Sequence, residues 1–248
     1  MNALATPKAN ELLAALPEAT YRRLLSNLEV TPLRVGDVLS RRTGPLQYAY
    51  FPTSSVVTLC YPLEEDGAMA KAWPVGREGM VGISLFLGDR DRDNQVDVQI
   101  GGLAYRLSAA ALLTEFRRAG ALQHLLLRYV FALITQASQL GVCSHYHSIE
   151  QRLCRFLLRL FDRVSEGEVF ITHERIAQLL GVRRVSITKV AVRLQAVGSI
   201  AYERGHVRLI DRKKLEDRAC VCGTIIRRAF EAVSDLRHPS AAASSIGS

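Results

Sequence analysis

The sequence predicts an α+β fold: a roll of short strands, then one long helix, then a smaller unit of short helices closed by a hairpin. Three observations carry that expectation. Turn signals break residues 28–107 into short β-runs at a spacing that suits a roll or barrel. From Ala121 to about Tyr146 apolar residues recur at three- and four-residue steps without interruption. The charge is also unevenly spread, with 14 basic and 13 acidic side chains in residues 1–149 against 18 and 11 in residues 150–248. Nearly all of the net charge of +8 therefore sits in the C-terminal two-fifths, which points to a polyanion-binding unit there. At 248 residues, 48% hydrophobic and 23% charged, the chain can bury a sizeable core, and disordered or fibrous classes are excluded.

The elements follow in order. Ala9–Leu16 and Thr20–Ser26 read as two short helices separated by Pro17. Val38–Arg42, Tyr48–Phe51 and Val56–Tyr61 are β-runs, and Asp66-Gly67 marks a hairpin between Thr58–Leu63 and Ala68–Val75. Val96–Ile100 and Leu103–Leu107 flank Gly101-Gly102, which reads as a second hairpin. Ser108 suits an N-cap, and helix follows. In the long helix Leu122, Leu125, Leu126, Tyr129, Leu133, Gln136 and Leu140 form a stripe, while Tyr129–Ile134 is apolar on nearly every face. Such a helix needs cover on two sides. The economical cover is the same helix of a second subunit, with Leu122, Leu126, Tyr129, Leu133 and Leu140 as the expected seam; full burial within one chain is the alternative. Ile149–Val164 is a further helix, with Leu153, Phe156, Leu157 and Leu160 on its core side. The expected organisation is a roll over 1–120, a dimerisation helix over 121–146, a basic helical unit over 147–236 and a small-residue, disordered tail over 237–248.

Five cysteines, odd in number and irregular in spacing, argue against a disulfide framework. The N-terminus has no basic start followed by an apolar run, so no export signal is expected. The charge-free stretch from Tyr129 to Ile149 carries Gln136, Gln139, His145 and His147, which hydrocarbon would penalise. A cytoplasmic protein with no membrane partner is expected.

The informative stretch is Thr172–Asp211. Thr172 suits an N-cap, and Ile176, Ala177, Leu179 and Leu180 form a short helix that stops at Gly181. A second helix runs from about Arg184 to Val197, with Ile187, Val190, Ala191 and Leu194 inward, and Gly198 ends it. Helix, glycine-bearing turn and helix make a helix-turn-helix signature. From Arg175 to Tyr202 there is no acid, against five basic residues. Arg183, Arg184, Val185, Ser186 and Lys189 lie on the first turns of the second helix, the end that reaches base edges and phosphates. Ser199–Tyr202 and His206–Ile210 flank Glu203-Arg204-Gly205, a hairpin that would place Arg204 near a phosphate. Thr172, Arg183, Arg184, Val185, Ser186, Lys189 and Arg204 are the expected DNA-binding residues.

This segment resembles the DNA-binding domain of the Crp/Fnr family of bacterial transcription regulators, and the resemblance extends over almost the whole chain. IAQLLGVRRVSITKV and HSIEQRLCRFLLRL carry it most specifically; YFPTSSVV and VGREGMVGISLFLG support it in the roll. It implies a jelly-roll-like, cyclic-nucleotide-binding-like sensor domain, a dimerisation helix and a winged helix-turn-helix. It also implies Arg184 and Lys189 as the two basic contacts of the recognition helix. Val185 departs from the pattern, because members with the best-known operator carry a glutamate there that accepts from a base amino group; valine can only meet a thymine methyl or pack. In the ligand pocket Gly82 matches the family glycine, but Ile83 replaces the ribose-binding glutamate, and Asn94-Gln95 stand in place of the phosphate-binding Arg-Ser pair. Without that arginine a cyclic phosphate loses its bidentate partner, so cyclic AMP is not the expected ligand. Gly82, Arg90 and Arg92 remain candidate ligand residues, although Asp89, Asp91 and Asp93 alternate with the two arginines.

No metal or cofactor is expected. An iron–sulfur sensor of this family needs cysteines near the N-terminus, and none precedes Cys60. Cys143 and His147 share a helix face, but His145 points away, and Cys220 and Cys222 on a last helix would lie about 200° apart. No catalytic residue is expected either, since the chain carries no phosphate-cradling glycine loop, Gly-x-Ser-x-Gly or His-Glu-x-x-His. The reading is thus a homodimeric regulator whose partners are double-stranded DNA on a palindromic operator, itself, an unknown small-molecule effector and, were it an activator, RNA polymerase. The rival is a signalling adaptor that binds an acidic protein partner through its basic C-terminal domain; a haem or redox sensor acting through DNA is a third reading.

Overall fold

The computed structural model describes residues 6–40, 46–62, 69–88, 94–163 and 167–234. Two antiparallel sheets build the N-terminal part. β1 (Leu28–Leu33), β3 (Tyr48–Pro52) and β7 (Gly102–Ser108) form one, in the order β1-β7-β3. β2 (Val38–Ser40), β4 (Val56–Pro62), β5 (Met69–Val75) and β6 (Gln95–Ile100) form the other, in the order β2-β6-β4-β5. Leu33, Tyr50 and Ala104 from the first sheet meet Val57, Val75, Val96 and Val98 from the second in a buried layer. β4 and β5 pair antiparallel, as expected; the Asp66-Gly67 connection lies outside the described residues.

The expected hairpin at Gly101-Gly102 is corrected. β6 pairs with β2 and β4, whereas β7 pairs with β1 and β3, so the chain changes sheets at these glycines. Close approach explains the second one, because a Cβ on Gly102 would sit 2.7 Å from the Ser54 backbone.

The short helices α1 (Glu11–Ala14) and α2 (Glu18–Leu25) precede the roll, parted at Pro17. The first is shorter than its apolar pattern suggests because a 3-10 turn over Pro7–Ala9 leads into Asn10. The buried Asn10 side chain accepts from Leu12 N and Leu13 N and donates to Pro52 O and Gly79 O, stitching α1 to the roll. A single helical turn, α3 (Ser84–Leu87), follows β5. α4 (Ala109–Phe116) starts at Ser108, whose hydroxyl accepts from Ala111 N. Then come the long α5 (Ala121–Tyr146) and α6 (Ile149–Phe161), the latter opened by a reciprocal Ser148–Gln151 capping box. The remainder is β8 (Glu168–Phe170), α7 (His173–Leu180), α8 (Arg184–Ala196), β9 (Ile200–Glu203), β10 (His206–Leu209), α9 (Arg212–Glu216) and α10 (Cys222–Ser234).

Within the single chain, the residues expected as the α5 seam are occupied by intrachain contacts. Leu122, Leu126, Tyr129 and Leu133 are buried inside their own chain, in one core with Phe51 and Leu107 of the roll and with Ile226, Phe230 and Val233 of α10, and Leu140 packs against that core. Tyr129 shows why this face is taken: its hydroxyl accepts from Met80 N at 3.1 Å and donates to Met80 O at 3.0 Å, and its ring meets Phe230 edge-on. The sequence placed 222–234 with the DNA-binding unit, yet this helix runs back to pack along α5. The outward side of α5 instead exposes Leu127, Phe131 (70% accessible), Ile134 and Val142. By length and composition α5 could cross a membrane, but its other face is committed to the core.

A third finding escaped the sequence. Arg163, just past the end of α6, donates from Nε (2.8 Å) and Nη2 (2.6 Å) to Glu78 Oε1 in the loop after β5, and Arg159 Nη2 lies 3.9 Å from the same oxygen. All three side chains are largely buried where the roll meets the helical part. Burial alone would push the Glu78 carboxyl up, but Arg163 and Arg159 together hold it below the usual range. Glu78→Gln leaves two buried guanidinium groups uncompensated and should cost about 3–5 kcal/mol in a denaturant titration. Because the folded value is depressed, the carboxylate's contribution is fully present above the ordinary value of 4.5 and fades as pH falls through the lower folded one. The wild type should therefore lose stability below about pH 4 by a margin that Glu78→Gln lacks.

Candidate nucleic-acid interface

The two helices of the motif are set by their ends. Thr172 Oγ1 accepts from Arg175 N at 3.2 Å and starts α7. Gly181, with φ 62° and ψ 44°, stops it in the left-handed conformation, and Arg183 in extended geometry starts α8 two residues later. Ala177 is buried against α8, and Ile187, Val190, Ala191 and Leu194 fill the other side of the contact. α8 ends at Ala196, one residue short of the expected Val197, which caps it.

The outer side of α8 presents Arg184, Val185, Thr188, Lys189, Val192 and Arg193, all exposed, with Arg183 exposed at the cap and Ser186 half-buried. Two arginines thus crowd the first turn of a helix whose N-cap has no side-chain hydrogen bond and whose first turn has no acid. That arrangement opposes the helix dipole by about 0.3–1 kcal/mol per charge until an anion arrives, when the same charges and the free N–H groups all become favourable. Among the described residues, Arg175, Arg183, Arg184, Lys189 and Arg204 form no ion pair. Arg193 lies 3.7 Å from Glu150.

The wing is a three-stranded sheet in the order β8-β10-β9. Arg204 (φ 48°) and Gly205 (φ 90°) form a two-residue turn with positive φ at both positions, matching the twist of the hairpin it closes. A Cβ on Gly205 would lie 2.7 Å from the Phe170 ring, so packing and backbone both call for glycine. Arg204 is left exposed at the tip.

One group here carried no sequence signal. His173 stacks on Tyr202 with centroids 4.1 Å apart, and its Nδ1 lies 3.0 Å from Thr188 Oγ1 on α8. Tyr202 OH donates to Ile171 O at 2.6 Å, and Tyr202 N donates to Gln195 Oε1 at 2.7 Å. Together they peg the wing and the start of α7 to the recognition helix. Burial first, and Arg184 second, push the His173 imidazole below its usual range, so it is neutral at pH 7.

In the roll, Gly82 has φ +111°, and a Cβ there would meet Leu46 at 3.0 Å and the Ala49 backbone at 3.2 Å. Its described role is close packing on β3. Ile83 packs on the core, and the Gln95 amide donates to Asp97 Oδ1 at 2.7 Å. Arg90 and Arg92 lie outside the described residues.

Residues 151–218 match the family model of the Crp-like helix-turn-helix domain. Among solved structures, the chain is similar to a protein of Silicibacter pomeroyi DSS-3 provisionally named a cAMP-binding regulatory protein, at 20% identity over 87% of this chain and 97% of that one, with a TM-score of 0.64. A CRP-family transcriptional regulator of Thermus thermophilus gives 21% identity, 76% and 96% coverage and a TM-score of 0.59. The c-di-GMP-responsive global regulator CLP of Xanthomonas campestris gives 19% identity, 79% and 100% coverage and a TM-score of 0.56. No curated protein sequence matches this chain. At these identities the likeness establishes the fold: a cyclic-nucleotide-binding-type roll, a long helix and a C-terminal Crp-like helix-turn-helix domain.

Proposed function

We propose that this protein is a homodimeric, sequence-selective DNA-binding transcription regulator of the cytoplasm. The observation that carries the reading is the start of α8, where Arg183 and Arg184 have no ion-pair partner among the described residues and stand on the positive end of an exposed helix. Arg184 and Lys189 would contact the major groove, with Thr172, Ser186 and Arg204 on the flanking phosphates. Val185 offers only a methyl contact, so the operator differs from one read by a glutamate.

The second subunit would pack on the outward side of α5. His124, Leu127, Phe131, Ile134, Ser138, Gly141 and His145 are all exposed and follow one another at alternating three- and four-residue steps, the spacing of a coiled-coil seam. Gly141 supports this seam. A helical glycine costs about 1 kcal/mol against alanine, and a Cβ there would meet nothing within 4 Å of its own chain. Close approach of a partner helix explains it. Two recognition helices would then enter successive major grooves about 34 Å apart on a palindromic site. In this reading the DNA-binding unit ends near residue 219, and α10 belongs with the roll and α5.

Cyclic AMP is not the proposed effector, because by the family resemblance Ile83 stands at the ribose-binding glutamate and Asn94-Gln95 at the phosphate-binding Arg-Ser pair. Selection from a random double-stranded DNA pool at physiological salt, without ligand, tests the function. A palindromic motif is the expected result. Weak binding that salt abolishes, with no sequence enriched, would favour an adaptor for an acidic protein partner instead. Arg204→Ala should weaken binding to all sequences alike and lower the salt slope of log K by about 1 per subunit, read by fluorescence anisotropy at several salt concentrations.

A further inference from the structure

Cys143 and His147 at the end of α5, Cys220 in the turn after α9 and Cys222 at the start of α10 converge, their ligand atoms all lying within 4.8 Å of one another. The expectation that Cys220 and Cys222 oppose each other on one helix is corrected, because α10 begins at Cys222 and Cys220 precedes it in a turn. We propose that these four side chains form a mononuclear site for a zinc-type divalent metal ion that ties together the two chain crossings into and out of the proposed DNA-binding unit.

The geometry is close to that of a loaded site. Bonds of about 2.3 Å to sulfur and 2.0–2.1 Å to nitrogen in a tetrahedron set donor–donor edges of about 3.5–3.8 Å. Cys143 Sγ and Cys220 Sγ are 3.5 Å apart, and Cys222 Sγ and His147 Nδ1 are 3.4 Å apart. All three thiols are buried and His147 is half-buried. Three thiolates and one imidazole are a donor set for zinc.

The surroundings supply an independent argument. Zinc with three thiolates carries a net charge of −1. Arg155 of α6 lies against Gly223, beside Cys220, and is only 8% accessible. It forms no ion pair among the described residues, and its buried Nε has no hydrogen-bond partner. A buried cation without an anion is costly, and the loaded site provides the anion. Gln139 Nε2 donates to Cys222 Sγ at 3.2 Å, the outer hydrogen bond a bound thiolate needs.

The location gives the site its consequence. The chain leaves α5 for the helix-turn-helix part at His147–Ser148 and returns to α10 through residues 219–222. Cys143 and His147 stand at the first crossing, Cys220 and Cys222 at the second. One ion ties both crossings together. Binding replaces the three thiol protons, which leave to solvent.

The test uses full-length reduced protein, stripped with a chelator and titrated with cobalt(II), then zinc(II). The expected result is one cobalt per chain with the visible absorption of tetrahedral cobalt–thiolate, displaced by zinc, and a Tm raised by roughly 5–10 °C at a hundredfold excess over Kd. Cys143→Ser and Cys222→Ser should each lower affinity by roughly a hundredfold or more, while Cys60→Ser should not. Should the variants fold poorly, alkylation mass spectrometry of the wild type decides: zinc should protect Cys143, Cys220 and Cys222 together and leave Cys60 and Cys154 unaffected. Absence of the cobalt–thiolate spectrum in wild type would overturn the proposal. So would a spectrum that survives loss of Cys143 and Cys222, or protection not shared by the three cysteines. These readouts are independent of DNA.

Discussion

Phe131→Glu should convert the proposed dimer into a monomer and abolish tight binding to the proposed operator. Phe131 is the most exposed of the large apolar side chains in the proposed seam, and it sits between Leu127 and Ile134, one helical turn to either side. Burying such a ring is worth about 1.5–3 kcal/mol, and a two-fold interface buries it twice. The substitution also asks two unpaired carboxylates to enter an apolar seam, at a few kcal/mol each. The dimer dissociation constant should therefore rise by at least about a thousandfold, read by sedimentation equilibrium. Leu126→Ala supplies the contrast. Leu126 is inaccessible in the chain's own core, so its truncation should lower stability by about 2–5 kcal/mol and leave the folded fraction dimeric. If Leu126→Ala gave folded monomers and Phe131→Glu stayed dimeric, the seam would lie on the other face.

Arg184→Ala should remove most sequence selectivity. A bidentate arginine–guanine contact is worth about 1–3 kcal/mol, and a symmetric dimer makes it twice. Affinity for the selected operator should fall by roughly 30- to 20,000-fold, while binding to unrelated DNA changes little. Equal losses on every sequence would assign Arg184 to a phosphate. Because Arg184 also bears on the neutral His173, the variant should be checked for an unchanged fold by circular dichroism.

Most of the site was legible in the sequence because its signals are local. Thr172, Gly181 and Gly198 mark helix ends through backbone chemistry that acts within a few residues. The absence of acid from Arg175 to Tyr202 is visible without coordinates. The Arg204-Gly205 turn follows from glycine's tolerance of positive φ. What could not be read joins distant segments. Glu78 and Arg163 are 85 positions apart, Cys143 and Cys220 are 77 apart, and His173 meets Tyr202 across the whole motif. Gly101-Gly102 failed for a related reason: the same turn signal serves a hairpin and a change of sheet, and only strand pairing separates them.

By itself the sequence determined the order of roll, long helix and winged helix-turn-helix, and the basic start of the recognition helix. Those follow from periodicity, turn chemistry and charge, each set by neighbours along the chain. Only the tertiary structure decided which side of α5 faces inward. Both sides are apolar, and helical periodicity gives the angle of each stripe without naming what covers it. The choice was made by α10, which arrives about a hundred residues later to bury Leu126 and Tyr129, leaves Leu127, Phe131 and Ile134 outside, and carries Cys222 to the end of α5.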